Sequence, residues 1–249
     1  DNTNRTLNVA SENLILDLVC YNSCFLCPPS YIEVARTESA PDLDGIIDNI
    51  WDAIDAVPIA KNFIGENPTV DAYWKAMWDN QGIYVLINVQ DDNHFPAWED
   101  GGNDWEYDHV EVFFDVNQVL DDNLGAGNGQ GHYVFSPTFG EDLYDGEIIN
   151  GLLRYANKLY GESYISEMFF PFALFTNKDG QNLSKSDMIA LDAIGFDIHV
   201  VDQDQGITTS RNRKVWQNVG TINENYFNMN DAGTIRLIGD DPYAPTRSD

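Results

Sequence analysis

One stretch decides the fold: WEYDHVEVFFD, residues Trp105–Asp115, in which side-chain character alternates from one residue to the next. A period of two is typical of a β-strand, because successive side chains point to opposite faces of a sheet. The alternation places Val110, Val112 and Phe114 on a wholly apolar face, which predicts a buried core. The opposite face carries carboxylates, an imidazole and an aromatic ring. That face is suited to recognising a ligand, and a merely solvated strand face is the alternative.

The composition of the chain excludes two classes of partner. Its 249 residues include 41 acidic and 13 basic side chains, which gives a net charge of −28. Such a charge repels nucleic-acid phosphates and anionic lipid headgroups. No apolar run is long enough to span a bilayer. Many of the acids are Asp, whose compact oxygens suit Ca²⁺; adaptation to a salty medium is the alternative explanation.

The chain does not begin with Met, and we expect a secreted, extracellular or cell-surface protein from which a signal peptide has been removed. Cys20, Cys24 and Cys27 crowd into eight residues. Without a nearby His to complete a zinc site, a local disulfide plus one free or intermolecular thiol is expected, with the pairing open. Asn4 and Asn182 begin possible glycosylation sequons.

The order of strand and turn signals predicts the architecture. Residues 1–40 form an N-terminal arm, residues 41–239 one domain, and residues 240–249 a tail. Within the domain, alternating runs at 70–78 and 83–89 flank a tight turn and predict a β-hairpin. Many short strands and few helical periods predict an all-β, antiparallel β-sandwich of the jelly-roll or immunoglobulin-like type, preceded by an extended arm.

Acidic residues at strand ends and in loops are the candidate Ca²⁺ ligands, because Ca²⁺ takes six to eight oxygens. We expect at least one bound ion. The candidates are Asp91, Asp92, Asp108, Asp115, Asp121, Asp122, Asp202 and Asp204.

Six segments occur in an order that is specific in combination. They are Asp44-Gly45-x-x-Asp48-x-x-Trp51, Trp78-Asp79-Asn80 with Ile83-Tyr84-Val85-Leu86, the Trp105–Asp115 strand, Phe170-Pro171-Phe172, Ile194–Ile198 and Gly233–Leu237. Over residues 41–239 this pattern resembles family 9 carbohydrate-binding modules. The resemblance implies a β-sandwich with bound Ca²⁺ and, in the best-known members, two tryptophans that sandwich a sugar.

The resemblance carries over to some positions only. Trp105 matches one sandwiching tryptophan, and Glu111 matches an acceptor of sugar hydroxyl hydrogen bonds. The second tryptophan would fall near Tyr226 or Phe227, whose flat rings can still stack on a sugar. The basic residue implied for the strand at 132–136 is missing.

The first functional hypothesis is a non-catalytic carbohydrate-binding module for a plant or microbial polysaccharide or oligosaccharide. Glu106 and Glu111 fall on opposite faces of one strand, which argues against a glycosidase acid–base pair. No haem ligand pair or nucleophile triad is evident. The candidate sugar-binding residues are Trp105, Glu111, Asp197, His199, Trp216, Tyr226 and Phe227.

The second hypothesis is a structural subunit of an extracellular filament or surface assembly. Residues 1–40 contain the strand-like run Leu14–Val19 and an odd number of cysteines. A sandwich leaves sheet edges, and an extended arm from a neighbouring copy can pair there. This hypothesis predicts a homo-oligomer held together through residues 1–40.

Overall fold

The computed structural model describes residues 30–95, 106–116, 131–137, 153–177, 179–204, 211–220 and 224–239. Twelve strands lie in this part of the chain. In chain order they are β1 (Tyr31–Arg36), β2 (Val57–Ile59), β3 (Lys61–Asn62), β4 (Asp71–Trp78), β5 (Gly82–Gln90), β6 (His109–Asp115), β7 (His132–Phe135), β8 (Arg154–Tyr160), β9 (Ser163–Pro171), β10 (Ile194–Asp202), β11 (Asn212–Val215) and β12 (Gly233–Ile238).

The strands build two layers that share one core. In one layer β6 pairs with β7 and β10, and β10 pairs with β11 and β12. In the other, β4, β5, β9 and β8 follow one another in antiparallel pairs. Rings meet between the layers: Trp74 lies 5.1 Å from Phe196, and Phe114 lies 5.0 Å from Phe170, measured between centroids. The predicted β-sandwich is confirmed.

The alternation in the decisive strand is confirmed as well. Val110, Val112 and Phe114 of β6 lie in the shared core, together with Trp74 of β4. The predicted hairpin corresponds to β4 and β5, paired from Asp71 with Gln90 to Trp78 with Ile83. The alternative explanation, a merely solvated strand face, is wrong, because all seven residues of β6 are buried.

The sheet is mixed, whereas the sequence predicted an antiparallel one. β1 runs parallel to β12 over Tyr31–Ala35, and its last two residues pair in parallel with Met77 and Trp78 of β4. The strand therefore joins the two layers. Parallel pairing needs partners distant in sequence, and no turn signal reveals it.

Residues 43–54, which we name the covering segment, pack against the outer face of β4, β5 and β9. Trp51, in a 3₁₀ turn at Asn49–Ala53, is fully buried there with Tyr84 and Phe169. Buried Glu167 ties the cover down: its carboxylate accepts hydrogen bonds from the Gly45 amide at 2.9 Å and from Trp51 Nε1 at 3.1 Å. The Asp44–Trp51 motif is thus a structural element of the sandwich.

One short helix, α1 (Lys185–Ala190), was not expected from the sequence. The Ser184 side chain accepts from the Asp187 amide, and the Asp187 side chain accepts from the Ser184 amide, which forms a capping box. Six residues are too few to show a helical period. In the part of the chain described, no helix has the length and apolar character needed to cross a membrane.

Candidate functional site

The face of β6 that points away from the core carries His109, Glu111 and Phe113. The register of β6 with β7 and β10 places cross-strand partners on both sides of these residues. Glu111 stands opposite Val134 of β7 and His199 of β10, while Phe113 stands opposite His132 of β7. Cross-strand partners have Cβ atoms about 5 Å apart, so three strands present these side chains as one surface.

Three imidazoles surround the Glu111 carboxylate. Oε1 lies 3.3 Å from His109 Nε2 and 3.7 Å from His132 Nε2, and Oε2 lies 3.3 Å from His199 Nδ1. Burial alone would raise the pKa of Glu111, but hydrogen bonds from the three imidazoles outweigh burial and hold this pKa well below its usual range. Glu111 is therefore a carboxylate that stays ionised although it is buried.

His109 is fixed from its other side. Its Nδ1 lies 2.6 Å from the carbonyl oxygen of Tyr107, which can only accept, so Nδ1 carries a proton. The contact with the Tyr107 carbonyl thus orients the His109 ring, with Nε2 turned toward the Glu111 carboxylate.

Aromatic rings line the space above Glu111. The rings of Phe113 and His132 stack, with centroids 4.6 Å apart and planes inclined by 7°. The Tyr226 ring makes edge-on contacts with two rings: its centroid lies 5.5 Å from that of His132 and 4.9 Å from that of Phe227. Phe227 is 67% exposed, which is unusual for so large an apolar side chain.

These groups bound a cleft of about 320 Å³, a size suited to small ligands. Its walls combine aromatic and apolar side chains with two carboxylates and one guanidinium. The lining residues are Glu111, Phe113, His132, Val134, Arg211, Glu224, Tyr226 and Phe227.

Glu224 is held in the wall of the cleft by a buried arginine. Arg213 Nη1 donates to Glu224 at 2.6 Å, and Nη2 and Nε donate to Glu66 at 2.7 and 3.1 Å. The guanidinium also lies 3.5 Å from the centroid of the Phe63 ring. Burial would lower the pKa of Arg213, but the carboxylates of Glu66 and Glu224 raise it, so the cation is permanent.

The structure brings three of the predicted sugar-binding residues together: Glu111, Tyr226 and Phe227. His199 lies behind Glu111, with Nε2 3.1 Å from Asn225 Nδ2, and is 1% exposed. It can orient Glu111 without contacting a ligand in the cleft. Trp105 lies outside the described residues.

Two predicted sugar-binding residues require correction. Asp197 is fully buried, and its carboxylate accepts from the backbone amides of Gln217 at 3.0 Å and Asn218 at 2.8 Å. It therefore holds the segment after β11 in place. Trp216 packs in the core, 5.0 Å from Trp74, and does not line the cleft.

Five cleft residues were missed in the sequence. Phe113 and His132 could have been found: the first shares the face of Glu111, and the second stands where the resemblance implied a basic residue. The guanidinium of the cleft comes from another segment, because Arg211 precedes β11. Val134 and Glu224 carried no signal, since tertiary register alone brings them to the cleft.

A second cluster of side chains gathers where β5, β6 and β10 meet their loops. Carboxylate oxygens of Asp91, Asp92 and Asp204 all lie within 4.8 Å of one another. Thr69 Oγ1 lies 3.0 Å from Asp92 Oδ1 and 3.4 Å from Asp204 Oδ2, and the Thr69 amide donates to Asp202 at 2.5 Å. Four predicted metal ligands are thus adjacent.

The donor set fits a divalent cation. One oxygen each of Asp91, Asp202 and Asp204 is buried and has no hydrogen-bond donor among the described residues. Burial, with nearby carboxylates, raises the pKa of Asp91 to about 7 and that of Asp202 to about 6, against the backbone hydrogen bonds that lower them. Buried carboxylates that lack donors are the ligands that Ca²⁺ accepts.

Asp108 belongs to a different arrangement at the edge of this cluster. Its Oδ1 accepts from the Gln203 amide at 2.6 Å, and its Oδ2 accepts from the Phe95 amide and lies 3.2 Å from His94 Nδ1. Protein donors thus already occupy both oxygens. Asp108, Asp91 and His94 form a second close group, but an imidazole nitrogen suits Ca²⁺ less well than oxygen.

The remaining predicted residues fall elsewhere. Asp115 ends β6, seven residues from Asp108 and thus about 23 Å away along the strand, so one ion cannot bind both. Asn182 is exposed, and its Nδ2 donates to the Ala173 carbonyl at 3.3 Å. The other candidates lie outside the described residues; they are Asp121, Asp122, Cys20, Cys24, Cys27 and Asn4.

Comparisons with solved structures agree with this architecture. A family 9 carbohydrate-binding module from Caldicellulosiruptor kristjanssonii in complex with cellotriose superposes with a TM-score of 0.65 at 21% identity, covering 88% of this chain and all of that one. A family 9 carbohydrate-binding module from the same organism in complex with glucose superposes with a TM-score of 0.64, also at 21% identity, covering 86% of this chain and 98% of that one. At these identities the likeness shows the fold.

The relatives found by sequence are much longer proteins that are named as glycoside-degrading enzymes. An exoglucanase XynX of Acetivibrio thermocellus is 28% identical over 185 residues, which is 74% of this chain and 15% of that protein. An endo-1,4-beta-xylanase A of Thermoanaerobacterium saccharolyticum is 29% identical over 165 residues, 66% and 13% respectively. This chain thus spans about a seventh of their length. The model of the carbohydrate family 9 binding domain-like family matches residues 43–240, and the chain belongs to that family.

Proposed function

We propose that the cleft binds a plant or microbial oligosaccharide or polysaccharide, with gluco- and xylo-oligosaccharides as the leading candidates. The observation that carries the proposal is the pairing of an ionised, buried Glu111 with exposed aromatic rings in one cleft of about 320 Å³. Sugars need both: rings to stack on their C–H faces and charged acceptors for their hydroxyls. Complexes of the related modules with cellotriose and glucose support this ligand class.

The side chains divide the work by chemistry. Glu111 and Glu224 accept hydrogen bonds from sugar hydroxyls, and Arg211 donates to ring or hydroxyl oxygens. Phe227 and Tyr226 supply the stacking surface. Trp105, matched by the family resemblance, is the proposed second platform. Because His199 and Arg213 fix the two carboxylates, the acceptors are oriented before the ligand arrives, which reduces the entropic cost of binding.

Calorimetric titration with glucose, cellotriose and xylotriose tests the proposal. We expect heat with at least one of them, and we expect Phe227→Ala and Trp105→Ala each to weaken binding at least about tenfold, or 1.4 kcal/mol. Tyr31→Ala is the matched control, because it removes an exposed ring outside the cleft. An absence of heat with all three sugars, or equal losses in the control, would refute this assignment.

The role we infer is binding without catalysis, within an extracellular carbohydrate-degrading system. The family is one of non-catalytic binding domains, and the relatives named as an exoglucanase and a xylanase are about seven times longer than the matched region. An assay of the chain alone for release of reducing sugar from xylan and cellulose should give none. Turnover that Glu111→Gln abolishes would contradict the inference.

We also propose that Asp91, Asp92, Asp202 and Asp204 hold Ca²⁺. When bound, the ion would neutralise carboxylates that otherwise repel one another, and it would join the end of β5 to the end of β10. Two observations support the proposal. Carboxylate oxygens of Asp91, Asp92 and Asp204 lie within 4.8 Å of one another. One oxygen each of Asp91, Asp202 and Asp204 is buried without a hydrogen-bond donor among the described residues, and Thr69 bridges Asp202 to Asp92 and Asp204. Mg²⁺ fits less well, because it demands strict octahedral geometry and keeps its waters.

Competition against a calcium-sensitive chelator dye tests this site. We expect one Ca²⁺ bound per chain, and we expect Asp92→Asn/Asp204→Asn to lose it. Asp52→Asn/Asp55→Asn removes the same charge from exposed positions outside the cluster and should keep it. If both double variants bind Ca²⁺ equally, the ion does not lie at this cluster.

A further inference from the structure

A groove runs along β1 on the side of the sandwich where β1 and β2 separate, and we name it the edge groove. Five consecutive residues of β1, Tyr31–Ala35, line one wall, and residues 53–55 with Val57 line the other. Trp74 and Ala76 of β4 lie between the two walls, and Trp74 is wholly buried. Its volume is about 510 Å³.

The edge groove exposes the hydrogen-bonding edge of a strand. Consecutive residues of a strand can line one wall only if the wall is the strand's edge, because their side chains point to opposite faces. On its other edge β1 pairs with β12 from Tyr31 to Ala35. On the groove edge its pairing with β4 covers only Ala35 and Arg36. Tyr31–Val34 therefore have no strand partner there among the described residues.

β4 cannot pair along the whole groove edge of β1, because part of β4 is already paired with β2. β4 gives its first half to β2, with Trp74 opposite Val57 and Ala72 opposite Ile59. Only its last two residues reach β1. The two short pairings on one edge of β4 hold β1 and β2 apart, and the space between them can hold one further strand.

We propose that Leu14–Val19 of the same chain occupies the edge groove as an additional strand, antiparallel to β1. The segment reads Leu-Ile-Leu-Asp-Leu-Val. In a strand, Leu14, Leu16 and Leu18 share one wholly apolar face, which suits the floor at Trp74 and Ala76. The opposite face carries Ile15, Asp17 and Val19, and its charge at the centre turns that face toward solvent. Its six residues extend about 20 Å and the five lining residues of β1 about 17 Å, so the lengths match.

The connection favours the same chain over a second copy. Eleven residues, 20–30, separate Val19 from Tyr31, the first residue of the groove wall. A tether of this length makes the encounter intramolecular, with an effective concentration on the order of millimolar. A segment from another copy reaches that occupancy only at a comparable protein concentration. Exchange of this segment between copies is what the filament hypothesis requires, and the experiment below separates the two.

Amide hydrogen exchange of the full chain tests the proposal. Alternate backbone N–H groups of Tyr31–Val34 point into the edge groove, and a docked strand protects them. We expect all amides of this segment to be protected in the full chain. Leu16→Asp places a charge on the groove face and should speed the exchange of alternate amides at least about tenfold. Ile15→Asp adds the same charge to the opposite face and should leave the protection unchanged.

Each outcome decides the matter. Fast exchange of alternate amides in the unaltered chain refutes the proposal, as does protection that Leu16→Asp leaves intact. Protection that falls on dilution, with a dimer or larger species on size-exclusion chromatography, also refutes it and assigns the groove to a neighbouring copy. Circular dichroism of each variant reports that the sandwich is folded, independently of any ligand.

Discussion

Arg213 shows how a single residue links the core to the cleft. It is 6% exposed and binds two carboxylates, one of which lines the ligand site. Breaking such a buried pair is costly because it leaves charges without partners. No local pattern predicts this role, since Glu66, Arg213 and Glu224 meet only through tertiary folding.

We therefore expect Arg213→Met to lower the free energy of unfolding by about 3 kcal/mol, the lower end for a buried ion pair because both glutamates are partly exposed. Urea denaturation measures this change as a shift in midpoint. Arg236→Met is the control: its contact with Asp192 is 3.7 Å long and exposed, so it should cost less than about 0.5 kcal/mol. Equal losses would show that Arg213 contributes packing only.

Gly45 is the residue on which the covering segment depends. Its φ is +73°, in the left-handed region, and an added Cβ would lie 2.4 Å from Lys158 Cβ. Gly161 has a similar φ of +70° but nothing within 4 Å of its added Cβ. The two glycines thus differ in crowding and share the same backbone strain.

Gly161→Ala should cost about 1 kcal/mol from backbone strain alone. Gly45→Ala should lower the free energy of unfolding by about 1–3 kcal/mol more than Gly161→Ala does, because the added methyl group must push β8 away from the covering segment. Thermal or urea unfolding of both variants measures the difference. If the two losses are equal, the cover adjusts freely and the contact of Gly45 with β8 is not a constraint.

At the scale of elements, local periodicity was the reliable guide. The hairpin β4–β5 lies within a residue or two of its predicted bounds, because alternation and tight turns are local signals. α1 and β11 were missed, being six and four residues long inside stretches without a clear period. The parallel placement of β1 depends on partners some 40 and 200 residues away, which no local pattern encodes.

The Asp cluster joins two elements, and its acids make the metal-free protein sensitive to pH. The pKa values of Asp91 and Asp202 in the folded state are about 7 and about 6, against about 3.9 in an unfolded chain. A raised carboxyl pKa means that the folded state binds protons more tightly than the unfolded state does. That stabilisation is complete below pH ~4 and is lost as the pH rises through about 6 and 7.

In the presence of chelator, the free energy of unfolding should therefore fall between pH 5 and pH 8. Urea denaturation at pH 5, 6, 7 and 8 measures the slope. Asp91→Asn should flatten it, because the amide does not titrate, whereas the exposed Asp52→Asn should keep the slope of the unaltered chain. An unchanged slope in Asp91→Asn would place the titrating groups elsewhere.

At the scale of the whole molecule, the sequence predicted the sandwich and the family but only part of the site. Six ordered segments sufficed for the family because they are strands and turns, which keep their spacing. The cleft gathers side chains from β6, β7 and two later loops, so its composition depends on register between strands. Asp197 and Trp216 were predicted in the site because their residue types suit sugars, yet burial gives them structural roles.

The charge of −28 poses the remaining question for the whole molecule, which is whether its acidity serves a specific ion or only the surface. Self-repulsion destabilises the compact state, and any salt relieves it by screening. A cation that binds only the folded state acts differently: at about 100-fold excess over its Kd it adds about 2.7 kcal/mol of stability.

We expect EDTA to lower the melting temperature, and Ca²⁺ to restore roughly 5–8 °C at about 2–3 °C per kcal/mol for a chain of this size. NaCl at matched ionic strength should restore only a minor part, since screening does not satisfy the buried oxygens of Asp91, Asp202 and Asp204. The Asp92→Asn/Asp204→Asn variant should respond to NaCl but not to Ca²⁺, which separates the two effects in one protein. Full rescue of the chelated, unaltered chain by NaCl alone would assign the acidity to surface adaptation, and the cluster would then be a source of repulsion without a metal.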